Sequence, residues 1–407
     1  MIDYYEIKSQ PITRLMVWAA YKEVRSNKRS SGVDGMTWQW LEKNSGRALY
    51  QLWNRLASGS YFPQSVKEVA IPKSDGGERK LGIPTVLDRI AQQVVRRHLE
   101  QHVEPHFHNS SFGYRPHRSC HDAVRQTCNN SFNHDFAIDI DIKGFFETID
   151  HCKLMKAVSH YCKDKWVILY VKRWLQAGIV KGNGERINRL TGTPQGGVIS
   201  PLLANLYLHV CFDGWMEKHH PEKPFERYAD DVVVHCKTEK QAKYVLGQIR
   251  SRMKACGLEL HPIKTKIVNL RGRAEQPYPK SYDFLGFTIK PNWCSINGKQ
   301  MLVPSIFISH RSERSIEKKF REMHLHKRRK PLEHLAREIN PVVRGILNYY
   351  GKFSKGHLRY VFKQLNRRLI KWAKWEKGLY TLRAVRWLRG KYRQNPALFP
   401  HWAVVHP

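Results

Sequence analysis

FAIDIDI (residues 136–142) alternates without a break. Ile138, Ile140 and Ile142 fall on one face of a strand and Asp139 and Asp141 on the other. Downstream, FERYADDVVVHC (225–236) reads as strand, tight turn and strand, with Ala229-Asp230-Asp231 at the turn. If the two elements pair, Asp141 and Asp230 converge. Two unit charges about 4 Å apart repel by about 4 kcal/mol at an effective dielectric of 20, so such a cluster needs a cation. Hard carboxylate oxygens with few His or Cys nearby suit Mg²⁺. Two Mg²⁺ about 3.5–4 Å apart are a standard device for in-line phosphoryl displacement.

The surroundings are the opposite of acidic. Across 407 residues, 70 Lys/Arg against 35 Asp/Glu leave a formal net charge of +35. The pI is near 10.0. That balance implies a polyanionic partner, most simply nucleic acid, and argues against an enzyme of small metabolites. Hydrophobic residues at 41% and aromatics at 11% are globular usage, with length for two to three domains. No stretch is apolar enough to span a bilayer, and the acidic N-terminus does not read as a signal peptide, so a cytoplasmic setting without membrane partners is expected. The eight Cys form no C-x-x-C pair and read as reduced thiols. His98-Leu-Glu-Gln-His102 lacks the H-E-x-x-H order of zinc proteases and reads as structural or surface histidine.

Charge is uneven along the chain. Residues 305–407 hold 25 Lys/Arg and 6 Asp/Glu, which puts a composition boundary near 300, where KPNWCSINGKQ (290–300) reads as a turn. Residues 11–60 read as helical around a loop at 25–35. Residues 66–85 read as two strands about a Ser-Asp-Gly-Gly turn, followed by a long helix from Leu87 to Val103. Residues 240–256 and most of the last hundred read as helix. Strands and helices mix without βαβ regularity, so an α+β body is expected. In the last hundred, Arg359, Lys363, Arg367, Lys371 and Lys374 recur at spacings of four, four, four and three. Leu358, Phe362, Leu365, Leu369 and Trp372 lie on another face of the same helix. A stripe of one sign without Glu partners suits phosphate.

TGTPQGGVISPLLANLYLH (191–209) followed by FERYADDVVVHC resembles the group II intron-encoded reverse transcriptases, also called maturases. SSGVDG (30–35), VAIPKSDGGERKLGIPTVLDRIAQQVV (69–95), SFGYRPHRSCHDAV (111–124), DIDIKGFFETIDH (139–151), LELHPIKTKIV (258–268), YDFLGF (282–287) and INPVVRGILNYYGKF (339–353) resemble further blocks of that family, in family order. The resemblance implies a right-hand polymerase. An N-terminal extension would occupy 1–62, fingers and palm 63–304, a helical thumb or maturase domain 305–379, and a short basic DNA-binding remnant 380–407 without an HNH endonuclease. In that remnant Arg383, Arg386, Arg389, Lys391 and Arg393 cluster with Trp387 and Trp402.

The resemblance also implies roles. Asp141, Asp230 and Asp231 would be the catalytic carboxylates, holding two Mg²⁺ (Mn²⁺ able to substitute) together with Ile142, while Asp139 would be a supporting contact. Lys73 and Arg79 would close on the dNTP triphosphate, with Arg115 as a further phosphate or template contact. Phe146, five residues beyond Asp141, would exclude a 2′-OH. Gln195 and Gly196 would sit beside template and incoming nucleotide, and Lys264 or Lys266 near the primer end. Arg359, Lys363, Arg367 and Lys371 would hold nucleic acid. Expected partners are an RNA template–DNA primer duplex, group II intron RNA and target DNA. A non-catalytic RNA-binding splicing factor and a reverse transcriptase domesticated for host defence are the rival readings.

Overall fold

The computed structural model describes residues 9–27, 30–72, 77–271 and 277–407. Lys73, Lys28 and Arg29 lie outside the described residues. The chain opens with α1 (Arg14–Arg25), α2 (Trp38–Lys43) and α3 (Ser45–Ala57), then β1 (Val66–Pro72), β2 (Glu78–Ile83) and α4 (Val86–Val103). Next come α5 (Cys120–Asn133), β3 (Phe136–Ile140), α6 (Phe145–Thr148), α7 (His151–Tyr161), α8 (Lys165–Gln176), β4 (Ile179–Val180) and β5 (Arg186–Ile187). They are followed by α9 (Ser200–Leu208), α10 (Gly214–His219), β6 (Phe225–Tyr228), β7 (Asp231–Cys236) and α11 (Glu239–Ala255). The chain continues through β8 (Lys266–Asn269), β9 (Tyr282–Phe284), β10 (Phe287–Ile296), β11 (Lys299–Ile308), α12 (His310–Glu322), α13 (Leu332–Tyr350), α14 (Lys355–Lys377) and α15 (Thr381–Gln394). No helix among the described residues is long and apolar enough to cross a membrane.

Among the described residues three sheets form, ordered β2-β1-β4-β5, β6-β7-β3-β8 and β11-β10-β9. The second carries the acidic stretches. Its strand β7 holds Val232, Val233 and Val234, all buried, which is the composition of a strand covered on both faces. In β3 the alternation is partial: Ala137 is buried along with Ile138 and Ile140, and Asp139 is half-buried. The regular strand ends at Ile140, and Ile142 makes an isolated antiparallel bridge to Leu260.

By its internal contacts the chain divides into two units, Met1–Arg118 with Ile140–Val234 and Lys243–Lys266, and Ser119–Asp139 with His235–Ala242 and Ile267–Pro407. In the first, the long α4 buries Ile90, Val94, Val95 and Leu99 at helical spacing. Thr85 caps it, its hydroxyl accepting from Asp88 N at 3.1 Å. In the second, helices α12 to α15 share one apolar core that includes Phe320, Leu335, Val343, Phe362, Trp372 and Leu388.

Two expected boundaries move. The stretch at 290–300 does hold a turn, at Asn297-Gly298, but it is the turn of a hairpin: β10 and β11 pair antiparallel over ten residues each, with Ile296 opposite Lys299. A boundary at 304 therefore falls inside β11, and the helices begin at His310. Residues 380–407 are not a separate remnant either. Phe399 and Trp402 are fully buried in the same core as α14, and the indole of Trp402 donates to Asn366 Oδ1 at 3.2 Å. Trp402 is thus a core side chain, not one that faces DNA.

Candidate active site

The β6–β7 hairpin is the tightest turn in the acidic region. Tyr228 pairs with Asp231, so Ala229 and Asp230 alone connect the strands, and Asp231 is the first residue of β7 rather than a turn residue. Ala229 adopts φ +57°, a left-handed conformation that costs a residue with a Cβ on the order of 1 kcal/mol or more. Arg227 holds it there. The fully buried guanidinium donates from Nη1 to Ala229 O at 3.1 Å and to Asn205 Oδ1 at 3.0 Å. Its Nε and Nη2 fork onto Asp213 at 2.7 and 2.5 Å. The 111–118 block braces the same hairpin: Phe112 N donates to Arg227 O and Arg227 N to Ser110 O, both at 2.8 Å. A Cβ on Gly113 would lie 2.5 Å from Ala229 N, so only glycine fits.

Asp230 stands on this braced turn. Burial holds its carboxyl above the ordinary carboxylate value; its own main-chain hydrogen bond acts the other way. The charge of Asp141 raises it further, while Arg79 and Arg227 pull it back. Asp141 is held from the other side: its carbonyl accepts from His261 N at 2.8 Å and from the Thr265 hydroxyl at 3.2 Å. Its carboxylate lies 3.7 Å from Lys264 Nζ. Lys264 is thereby a lysine beside the carboxylates. Ile142 is buried, and the bonds flanking its bridge run through Asp141 and Lys143, leaving the bridge itself without use of the Ile142 carbonyl. Asp231 is exposed. The donor set is oxygen throughout, which fits Mg²⁺ and not a thiophilic metal.

Beside the carboxylates, strand β2 is stitched to the 194–197 turn. Arg79 Nε donates to Gln195 Oε1 at 2.6 Å and Gly82 N to Gln195 O at 3.0 Å. Gly196, at φ +131°, would place a Cβ 2.7 Å from Gly82 O, so the close approach that this glycine permits is to the protein's own backbone rather than to nucleic acid. Ile199 is the N-cap of α9, and Ser200 is its first residue. The Ser200 hydroxyl accepts from Thr193 at 2.8 Å, and Gln92 Oε1 from Val198 N at 2.8 Å.

A cleft of about 250 Å³ opens here, lined by Lys80, Gly82, Phe146, Arg189, Pro194 and Gln195. Phe146 lines the cleft, whereas Phe145 is 2% exposed in the core beside it. Arg189 was not singled out by sequence. Its Nη1 is buried without a hydrogen-bond partner and burial lowers its pKa to about 10, so it carries its charge at neutral pH. Arg115 does not belong to the cleft. It is buried, paired with Glu104 at 2.8 Å, and donates to the carbonyls of His108 and Ser111 at 2.7 and 2.8 Å. A guanidinium committed to three internal acceptors is a brace for the 108–115 loop.

In the second unit the α14 stripe forms as spaced. Arg359, Lys363, Arg367, Lys371 and Lys374 are exposed, while Leu358, Phe362, Leu365, Leu369 and Trp372 are buried. Arg367 Nη1 lies 3.5 Å from Gln364 Oε1, and Lys374 Nζ donates to Thr381 at 2.9 Å.

Residues 71–289 match the family described as reverse transcriptase (RNA-dependent DNA polymerase), and residues 313–385 match the group II intron, maturase-specific domain. Group II intron-encoded protein LtrA of Lactococcus lactis subsp. cremoris is 36% identical over 193 residues, 47% of this chain and 32% of LtrA. Protein YkfC of Escherichia coli (strain K12) is 32% identical over 276 residues, 58% of this chain and 71% of YkfC. An uncharacterized 91 kDa protein in the cob intron of Schizosaccharomyces pombe is 27% identical over 428 residues, 86% of this chain and 51% of that protein. The match spans about a third of LtrA and half of the fission-yeast protein.

Proposed function

The chain belongs to the family of group II intron-encoded reverse transcriptases and maturases, and on that premise we propose that it is an RNA-directed DNA polymerase that also binds group II intron RNA. The reaction is attack of a primer 3′-hydroxyl on the α-phosphorus of a dNTP, with pyrophosphate leaving, on an RNA template. The observation that supports it most is that Asp230, on a hairpin braced by a buried ion pair, lies near enough to Asp141 for that carboxylate to raise its pKa. Asp141, Asp230 and the Ile142 carbonyl, with Asp231 as third carboxylate, would hold two Mg²⁺ (or Mn²⁺). When bound, these ions supply charge neutralisation and an acidified 3′-hydroxyl.

The chain's own residues account for the rest. Arg79, bonded to Gln195 of the cleft lining, would supply the positioned charge that a triphosphate needs. Arg189 adds a second cation in the cleft. Phe146 takes the space of a ribose 2′-OH. Lys264 sits where a primer-end phosphate would come, and Gly196 allows the turn to lie against β2. Arg359, Lys363, Arg367 and Lys371 would track phosphates of a duplex or of the intron RNA, since phosphate contacts position without reading bases. Target DNA and intron mobility complete the reading, with residues 63–308 as fingers and palm and 309–405 as thumb. The relatives from two bacteria support a bacterial cytoplasm as its setting.

Primer extension by Asp141→Asn on an RNA template with dNTPs tests the assignment. Extension is expected to fall to background while the far-ultraviolet circular dichroism is unchanged. Full extension by a folded Asp141→Asn protein would overturn it.

A further inference from the structure

Away from the carboxylates, four metal-binding side chains of the first unit converge. His98 and His102 lie one turn apart on α4, and Cys162 and Asp164 flank one residue in the connection between α7 and α8. Their ligand atoms all lie within 4.8 Å of one another. Asp164 Oδ2 is 2.7 Å from His98 Nε2, 3.6 Å from His102 Nε2 and 3.5 Å from Cys162 Sγ. We propose that these four side chains form a closed structural site for a borderline-soft divalent metal, Zn²⁺, ligated by two imidazoles, one thiolate and one carboxylate.

The geometry is close to what such a site needs. Tetrahedral bonds of about 2.0–2.3 Å put ligand atoms roughly 3.3–3.6 Å apart. Two of the measured separations, 3.5 and 3.6 Å, already fall at that range. The 2.7 Å contact is a hydrogen bond that a metal would replace.

Orientation points the same way. His102 Nδ1 bonds to the carbonyl of His98 at 2.9 Å, which places the proton on Nδ1 and the lone pair of Nε2 toward the cluster, the arrangement that fixes a metal-ligating imidazole. The His98 ring is held between His102 and Trp166, with centroids at 4.7 and 4.8 Å. Asp164 is the N-cap residue of α8, yet its side chain makes no capping hydrogen bond and turns to His98 instead. An Asp at an N-cap usually caps, so its carboxylate is spent on the cluster. Cys162 is fully buried.

The donor set separates this place from the hairpin carboxylates. Thiolate and imidazole select Zn²⁺, whereas oxygen-only donors select Mg²⁺. On loading, Cys162 loses its S–H proton to solvent. The proton that His98 Nε2 shares with Asp164 in the metal-free chain also leaves, to solvent from an imidazolium or by exchange through solvent to Nδ1 of a neutral ring, so that Nε2 is free for the metal and no oxidant or further reactant is needed. The metal would staple α4 to the α7–α8 connection. Gln92 and Arg89 on α4 hold the 198–199 backbone and the Pro84 carbonyl, so the staple would steady the helix from which the nucleotide side is hung. With all four positions taken by protein, the site is structural rather than catalytic.

The test is a cobalt titration of the metal-free full chain. The wild type is expected to take up one equivalent of Co²⁺ with a thiolate-to-cobalt charge-transfer band and tetrahedral d–d bands. Cobalt at the hairpin carboxylates gives no thiolate band, so the two places are told apart. Cys162→Ser should lose the band and Cys152→Ser, at an exposed cysteine outside the cluster, should keep it. His102→Gln should weaken cobalt affinity by at least tenfold, and Zn²⁺ should raise the melting temperature of the wild type but not of His102→Gln. Should Cys162→Ser fail to fold, zinc-edge X-ray absorption of the wild type decides: one sulfur with nitrogen and oxygen supports the site. A wild type without the charge-transfer band, a band that survives Cys162→Ser, or an oxygen-only zinc shell would overturn it.

Discussion

The β6–β7 hairpin and the α14 stripe manage charge in opposite ways. At the hairpin, like charges are forced together: Asp230 is held partly out of water near Asp141, and the strained Ala229 beneath it is fixed by a fully buried Arg227–Asp213 pair. On α14, like charges are spread along one exposed face above an apolar seam that would hold the helix with no charge present at all. The first arrangement demands a cation and a rigid frame. The second demands only a polyanion, and tolerates the loss of any one member. On the proposed function, chemistry that needs positioned atoms would belong to the first, and affinity for a long phosphate chain to the second.

Salt gives the largest expected contrast. If the stripe meets six to ten phosphates, affinity for an RNA duplex should fall roughly 10³–10⁵-fold between about 50 and 200 mM salt. Lys363→Glu with Arg367→Glu should flatten that slope for unrelated duplexes alike. An affinity indifferent to salt would remove the stripe from the account.

Stability should separate the regions next. Asp213→Ala strands a buried guanidinium and is expected to cost about 3–5 kcal/mol in urea unfolding of the first unit. Lys363→Gln should stay within about 0.5 kcal/mol. Equal costs would break the contrast between framed and unframed charge.

A finer contrast lies within the cleft. Phe146→Ala should relax the preference for dNTP over rNTP by roughly 10–200-fold, the scale of about 1–3 kcal/mol of steric discrimination. Phe145→Ala should instead destabilise the protein without changing the preference. Reversed outcomes would move the gate by one residue.

The smallest effect is a difference of sign with pH. His401 is buried, its Nε2 on Asn366 Oδ1 at 2.8 Å, and burial lowers its pKa to about 3. The unfolded chain takes up that proton near pH 6.5, so the second unit should lose stability as pH falls below about 6.5. Asp88 in the first unit is the reverse case: burial raises it to about 6, opposed by hydrogen bonds from Tyr61 and Thr85. The folded form then holds its proton more tightly than the unfolded one, so Asp88 adds stability as pH falls from about 6 toward 4. Amide exchange in α14 and α4 at pH 7 and pH 5 reads both signs. His401→Gln should abolish the acid sensitivity of α14.

Much of this was legible because it rests on short-range pattern. The Asp141 strand, the two-strand hairpin at 225–236 and the α14 faces follow from periodicities of two and 3.6. What sequence did not show are partners distant in the chain. Arg115 looks like any basic residue of a nucleic-acid protein until Glu104 and two carbonyls are seen around it. Nothing local marks Asp213 as the counter-ion of Arg227. Gly196 announces a close approach but not that Gly82 is what it approaches. Trp402 sits in a basic tail by composition and in an apolar core by packing. His98 and His102 carry no protease motif, and Cys162 and Asp164 join them only through the fold.

The central claim is that polymerisation and RNA handling reside in different surfaces. The direct measurement is a paired assay on one preparation of Asp230→Asn with Asp231→Asn: primer extension on an RNA template, and splicing of the cognate group II intron at low Mg²⁺. The account predicts that cDNA synthesis is lost while intron binding and assisted splicing persist, because the α14 stripe is untouched. Retained cDNA synthesis, or loss of splicing by a folded double variant, would contradict it.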